Sequence, residues 1–107
     1  MLMTTDTHLI ARASGGDRVA YDAVYEASFA YVYAFAVRRT GERRSAELLC
    51  ERILARVFLD LDDYAGDVPF AAWLLGVAKR VAREQGAARR RIGRVFAAPP
   101  LAQIAPR

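Results

Sequence analysis

The stretch Val68–Arg91, VPFAAWLLGVAKRVAREQGAARRR, decides the fold because it is typical of one long amphipathic helix. Its apolar residues recur every three or four positions, as the buried face of a helix requires. They are Phe70, Trp73, Leu74, Val77 and Val81. We predict that Asp67 caps this helix and that Pro69 lies in its first turn, where a missing amide hydrogen costs nothing. The helix ends in a run of arginines, which a purely structural helix does not need.

Two helices are predicted at the start of the chain, where apolar residues recur at helical spacing and no period-two alternation occurs. A short first helix, THLIARAS, ends at the Gly15-Gly16 pair, and Asp17 caps a second helix that runs to about Arg39. Gly41 ends this second helix. Its apolar stripe is wide enough to predict packing on two sides. The stripe contains Tyr21, Val24, Tyr25, Phe29, Val32, Tyr33, Phe35 and Ala36.

A third helix is predicted from a cap at Ser45 to about Asp60, followed by a connection at residues 62–67. Its inward row is Ala46, Leu49, Cys50, Ile53, Leu54, Val57, Phe58 and Leu61. The fold class is therefore all-α: a compact bundle of three main helices plus a short N-terminal helix, spanning residues 1–91. Residues 92–107 are expected to form a flexible tail that contains alanine and proline.

Composition restricts the class of protein. The chain has 107 residues, 54% hydrophobic and 26% charged, which fits one globular domain. A single cysteine, Cys50, excludes an internal disulfide and a metal cluster of several cysteines, and its place on the apolar stripe predicts a buried thiol. The start of the chain has no signal-peptide pattern, and the longest apolar run, Ala27–Val37, is too short to cross a membrane. We expect a soluble cytoplasmic protein without membrane association.

Residues that could support catalysis are few. His8 is the only histidine, and the carboxylates Asp60, Asp62 and Asp63 lie at a helix end, where they are expected to face solvent. No glycine-rich phosphate loop, nucleophile elbow or metal-ligand spacing is present. We therefore predict no enzymatic activity, no catalytic residue, no metal site, no cofactor and no small-molecule substrate.

Positive charge is concentrated at one end of the chain. Lys79–Arg94 contains seven basic residues and one acidic residue, whereas residues 1–78 contain eight basic and eleven acidic residues. Lys79, Arg80, Arg83 and Arg90 share one sector of a helix, since steps of three, four and seven return to the same side. Most charge runs are simply solvated faces. This one mixes signs only at Glu84, so the sequence favours a nucleic-acid partner, with an acidic protein as the alternative.

Three groups of residues occur in the order seen in a known family. They are Gly16-Asp17, Ala20-Tyr21 and Val24-Tyr25; Ala46-Glu47, Leu49 and Arg56-Val57-Phe58; and Tyr64, Gly66, Phe70, Trp73-Leu74 and Val77-Ala78. Together they resemble region 2 of the extracytoplasmic-function sigma factors of the sigma-70 family. The similarity covers residues 9–91 and is ungapped over residues 46–80. Each piece is weakly diagnostic, and the specificity comes from their order.

The resemblance implies a helical module that docks on the clamp helices of the largest RNA polymerase subunit and holds the non-template strand of the −10 promoter element. By this analogy the third helix offers the polymerase face, at Leu48, Glu51, Arg52, Ala55 and Leu59. The loop 62–67 and the start of the fourth helix would hold an unstacked base, with Tyr64 as a possible stacking ring or a core aromatic. The DNA backbone would follow Lys79, Arg80, Arg83 and Arg90. Trp73 is assigned to the core.

The chain departs from this family in three ways. The family has a C-terminal helix-turn-helix domain, for which the 16 residues after Arg91 are too few. Leu48, Glu51 and Arg52 stand where the family pattern has Asp, Gln and Glu, which should weaken docking on a basic partner. Arg80 stands where the family often has Asn, which favours backbone over base contact.

These departures leave three functions open. The first is a reduced sigma factor or a promoter-binding accessory protein. The second is a sigma mimic that binds an anti-sigma factor or another protein, because an outward Leu48 and Leu59 would suit a protein interface or self-association. The third is a module that keeps its fold and has lost its activity.

Overall fold

A computed structural model describes residues 7–96 of the chain, with side chains described through residue 93. Four α-helices and one 3-10 turn occur in this range. They are α1 (Thr7–Ser14), α2 (Arg18–Thr40), α3 (Arg43–Leu59), the turn Leu61–Asp63 and α4 (Phe70–Phe96). Helix α2 packs against α1, α3 and α4, and α3 packs against α4. The described residues contain no strand, so the predicted all-α bundle of three main helices and one short helix is confirmed.

The predicted ends of α2 are confirmed by their backbone geometry. Asp17 is extended, with φ −70° and ψ 113°, and its carboxylate accepts a hydrogen bond from the Ala20 amide. At the other end, Gly41 has a φ of 73°, a left-handed conformation that only glycine adopts without strain, and its amide donates to the Val37 carbonyl. These two residues therefore set the length of α2, the helix that packs against all three of the others.

The predicted cap of α3 is wrong. The helix begins at Arg43, and Glu42 occupies the capping position without a capping hydrogen bond from its side chain. The Ser45 hydroxyl instead donates to the Glu42 carboxylate at 2.7 Å. Because Glu42 directly follows Gly41, the chain re-enters the helical region almost at once, three residues earlier than a cap at Ser45 predicts.

The start of α4 also differs from the prediction that Asp67 caps it. The helix begins at Phe70, and the Pro69 carbonyl accepts the first helical hydrogen bond, from the Ala72 amide at 2.9 Å. A residue that precedes proline is disfavoured in the helical region, so Val68 stays outside the helix and Asp67 lies too far upstream to cap it. At its other end α4 continues to Phe96, past the boundary at residue 91; residues 97–107 of the predicted tail lie outside the described residues.

The core is formed along the predicted faces of α3 and α4. Buried residues on these helices include Ala46, Leu49, Cys50, Ile53, Leu54, Val57, Phe70, Leu74, Val77 and Val81. Phe58 and Trp73 are half-buried and pack against the edge of this core. The wide stripe predicted for α2 is only partly buried, because Tyr21, Tyr25 and Phe29 are exposed. Helix α3 covers this side of α2 only in part, because Phe58 contacts Tyr21 and Tyr25 while the three rings stay 37–43% exposed.

The one buried polar side chain among the described residues is Ser28, in the middle of α2. Its hydroxyl has no hydrogen-bond partner, and a buried hydroxyl without a partner costs about 1 kcal/mol or more. We expect Ser28→Ala to raise the free energy of unfolding by about 1 kcal/mol, since it removes that cost and favours the helix. Thermal unfolding checks this prediction. The control is Ser45→Ala, which removes a satisfied hydroxyl and should not stabilise the protein.

The cap of α2 should make stability depend on pH. The hydrogen bond from the Ala20 amide and then the one from the Arg12 guanidinium hold the pKa of Asp17 below its ordinary value of 3.8. A lowered pKa in the folded state adds stability that is present above pH 3.8 and is lost as the pH falls through the folded pKa. Asp17→Asn keeps a capping oxygen without a titration. We therefore expect its melting temperature to fall less than that of the unchanged protein between pH 5 and pH 2, a range of about three units.

Candidate nucleic-acid and protein interfaces

The outer face of α4 is a row of unpaired cations. Lys79, Arg80 and Arg83 are exposed, and none of them forms an ion pair with another described residue. They lie on the side of the helix opposite the buried residues Phe70 and Leu74, because the two sets differ by about half a turn. Further along, Arg89, Arg90 and Arg91 are exposed as well. We call Lys79, Arg80, Arg83 and Arg90 the cationic face.

Small residues precede the cationic face on the same side of α4. Gly76 and Ala72 lie about one and two turns before Arg80, and both are exposed. A Cβ atom built on Gly76 would meet nothing within 4 Å. This part of the helix therefore offers open, flat backbone to an approaching polymer, followed by positive charge.

Tyr64 is held by its own chain. Its ring is half-buried and lies edge-on to Phe70, with ring centroids 5.2 Å apart, and 5.6 Å from Trp73. Its hydroxyl donates to the Val68 carbonyl, across the loop that leads into α4. Tyr64 therefore braces the loop 62–67 against the start of α4. Of the two roles left open for it, this environment supports that of a core aromatic.

Helix α1 also holds this loop, which no sequence pattern indicated. The Ser14 hydroxyl donates to the Asp62 carboxylate, and Gly66, with a φ of 83°, lies beside the Thr7 side chain. These contacts join residues that are 48 and 59 positions apart. The short N-terminal helix thus positions the segment from which α4 starts.

The predicted partner face of α3 lies on the surface. Leu48, Glu51, Arg52, Ala55 and Leu59 are all exposed, with Leu48 at 47% and Leu59 at 77% of their full accessibility. These five residues form a ridge along the outside of α3, which we call the α3 ridge. Exposed leucines at this spacing on an amphipathic helix are typical of an uncovered protein interface.

A groove lies on each side of the α3 ridge. The first, the aromatic groove, has a volume of about 570 Å³ and lies between α2 and α3. Its walls include Tyr21, Tyr25, Phe29, Tyr33, Phe58, Glu47 and Glu51. The second, the basic groove, has a volume of about 600 Å³ and lies between α3 and α4. Its walls include Leu48, Arg52, Arg56, Leu59, Glu84, Arg89 and Ile92.

The sequence does not predict the aromatic groove, because the apolar stripe of α2 assigns its rings to the core. Tyr21, Tyr25, Phe29 and Tyr33 follow each other at every fourth residue, and consecutive ring centroids are 5.8 to 6.5 Å apart. Phe58 of α3 closes the end of this ladder, 4.9 Å from Tyr21. Helical periodicity places such residues on one face but does not indicate whether another element covers that face.

Other kinds of site are not evident in the described part of the chain. Cys50 is buried, and burial, followed by the charge of Glu51, raises the pKa of its thiol, which disfavours the reactive thiolate. Residues 7–93 bring together no group of three or more metal-ligating side chains. Within the same part of the molecule, no helix combines the length and apolar character needed to cross a membrane.

Comparison with known proteins gives no relative. The chain matches no protein-family model, no curated protein and no solved structure.

Proposed function

We propose that this chain is a transcription-initiation module that binds single-stranded −10 promoter DNA with the cationic face of α4 and RNA polymerase with the α3 ridge. The observation that carries the proposal is the cationic face: four exposed basic residues, with no described acidic partner, opposite the side that anchors α4 in the core. The specific partners come from the resemblance of residues 9–91 to sigma region 2.

The charges of α4 suit a strand of nucleic acid better than a small anion. Lys79 and Arg90 lie eleven residues apart, which corresponds to about 16 Å along a helix. A row of this length matches several consecutive phosphates, and neutralising each one releases condensed counterions. Binding of this kind is strong at low salt and carries little sequence preference, because phosphate contacts position a protein without reading bases.

The start of α4 would meet the bases. Trp73 precedes Arg80 by seven residues, so the two share a side of the helix, and the exposed backbone at Gly76 lies between them. Trp73 is only half-buried, so part of its indole ring is accessible for contact with an unpaired base. This assigns Trp73 a role at the edge of the interface in addition to its contact with the core.

A second function, that of a sigma mimic for a protein partner, is favoured by one observation. The α3 ridge exposes Leu48 and Leu59, and it carries Arg52 where a surface for a basic partner should carry an acid. An anti-sigma factor or another protein with an apolar, mixed-charge surface would bury both leucines without a clash of like charges.

Binding of the purified protein to core RNA polymerase and to a −10-like single strand, each at two salt concentrations, tests the first function. We expect both to bind, with the DNA affinity falling steeply as salt rises. Binding of DNA without polymerase would leave a nucleic-acid module and contradict the polymerase role of the α3 ridge. Failure to bind either would contradict the proposal and favour the mimic.

A further inference from the structure

We infer that two copies of this chain associate side by side through the α3 ridge, with the two α3 helices parallel about a twofold axis. The proposal rests on three observations about the ridge and its grooves: the spacing of its exposed residues, the opposite charges on its two sides, and the uncovered rings beside it.

The spacing along the ridge is that of a parallel coiled-coil seam. Leu48, Arg52, Ala55 and Leu59 are separated by steps of four, three and four, so they occupy alternating d and a positions of a heptad. All four are exposed. Ala55, at the centre, is small enough for two helix backbones to approach closely. A single charged residue at an a position, as with Arg52, lowers stability but selects the register of the pair.

The two sides of the ridge carry opposite charge. The aromatic groove is rimmed by Glu47 and Glu51, of which Glu47 is already paired with Arg43 at 3.1 Å. Glu51 forms no ion pair with a described residue, so it is the free acid on that side. The walls of the basic groove carry three arginines and one acid. They are Arg52, Arg56, Arg89 and Glu84.

This arrangement of charge selects the parallel orientation. A twofold axis along the helix turns the acidic side of one copy toward the basic side of the other, so both sides are matched. An antiparallel pair would place acid against acid and base against base, and like charges facing across an interface cost free energy. In the parallel register Glu51 occupies a g position and Arg56 the e position five residues later, the standard interhelical ion pair of parallel coiled coils.

Arg56 has free capacity for this contact. Its only ion pair among the described residues is with Asp60, at 3.9 Å, near the limit for such an interaction. About 40% of its side chain is accessible, and the guanidinium has five donor hydrogens. Glu51 of the second copy would therefore add a contact without displacing a strong one.

The grooves supply the apolar area that the short seam lacks. A seam of two leucines and one alanine is too small for a stable dimer, which needs about 800 Å² from each partner. In the parallel pair the aromatic groove of one copy faces the basic groove of the other, so the rings of Phe29 and Tyr33 face the flank that carries Ile92, itself 55% exposed. The dimer therefore buries both leucines of the ridge, the rings of the aromatic groove and Ile92 together.

If the proposed function is correct, the dimer has a regulatory consequence, which rests on that function alone. The dimer covers the same α3 ridge that would contact polymerase, so self-association and polymerase binding exclude each other. The cationic face of α4 lies on the far side of its helix and stays open in the dimer.

Sedimentation of the full chain over a range of concentrations tests the dimer. We expect a monomer–dimer equilibrium, and we expect Glu51→Arg to raise its dissociation constant about tenfold, since the twofold axis repeats the new repulsion. Arg56→Glu should have a similar effect. The double variant, which exchanges the two charges, should restore association. Val19→Asp, at an exposed apolar residue of α2 outside both grooves, is the control and should leave the equilibrium unchanged.

Disulfide trapping tests the orientation. Leu48→Cys and Leu59→Cys should each form a covalent dimer by themselves on oxidation, because equivalent seam positions face each other in a parallel pair. The unchanged protein should not, since Cys50 is buried. A cross-link that forms only in a mixture of the two variants would indicate an antiparallel pair and overturn the proposal. A protein that stays monomeric at all concentrations would also overturn it. So would a double variant, with the charges of Glu51 and Arg56 exchanged, that fails to restore association.

Polymerase binding of the unchanged protein separates this proposal from the proposed function. Sedimentation with core RNA polymerase should show one copy of the chain on each polymerase, and the free dimer should decrease as polymerase is added. If polymerase does not bind and the dimer persists, the polymerase role fails while the dimer stands. If polymerase binds the intact dimer, the ridge is not shared and mutual exclusion fails.

Discussion

Replacing Phe70 by alanine should unfold this protein at ordinary temperatures or bring it close to unfolding. Phe70 is 2% exposed and is the largest fully buried side chain among the described residues. Truncating a buried phenylalanine costs about 3–5 kcal/mol, out of a total stability of about 5–15 kcal/mol for a domain of this size. The melting temperature should fall by about 12 °C or more.

Removal of Phe70 also affects the two aromatic rings that pack against it. Its ring stacks on Trp73 with centroids 5.6 Å apart and meets the edge of Tyr64, so its removal leaves two further rings without a support. These rings hold the loop 62–67 against the first turn of α4. We therefore expect local loosening of the loop, seen as faster amide exchange at residues 64–68, even where the fold survives.

Phe29→Ala is the matched control. It makes the same chemical change on a ring that is 43% exposed, so its effect on the free energy of unfolding should stay below about 1 kcal/mol. Both variants are compared at low concentration, where association adds nothing to stability. Equal losses for the two would contradict the assignment of Phe29 to an open groove.

The existence of each helix could be predicted from the sequence because it depends on signals within a short stretch of the chain. Asp17 and Gly41 act through their own backbone and through residues three or four positions away, and such signals are complete within a short window. The starts of α3 and α4 were misplaced where two local signals compete. Ser45 is a good capping residue, but the chain turns into the helix directly after Gly41.

The surface could be predicted less well than the core because exposure depends on distant parts of the chain. Tyr25 and Val24 both lie in the apolar stripe predicted for α2, yet Val24 is fully buried and Tyr25 is 40% exposed. The difference arises from where α3 lies, and periodicity within α2 carries no such information. For the cationic face the reverse holds: charge is seldom buried, so the sequence alone placed Lys79, Arg80 and Arg83 outside correctly.

Replacing Arg80 and Arg83 together by alanine should lower the affinity for single-stranded DNA on the order of tenfold at low salt. Both residues are exposed and unpaired with any described acid, so neither supports the fold and the loss should come without a change in melting temperature. The slope of the logarithm of affinity against the logarithm of salt concentration should become shallower by about 1.4, since each lost phosphate contact contributes about 0.7 for a single strand. Fluorescence anisotropy with a labelled −10-like strand measures both quantities.

The slope makes this test specific, because net charge alone would also change affinity. Arg18→Ala with Arg38→Ala also removes two positive charges, from exposed positions on α2, where Arg18 is paired with Asp22 at 3.2 Å. That control should shift affinity only slightly and leave the salt slope nearly unchanged, since long-range attraction is screened within about 10 Å at 0.1 M salt. An unchanged salt slope in the Arg80 and Arg83 variant would show that the strand does not follow α4. An equal change of slope in the control would show that the cationic face contributes only through the net charge of the protein.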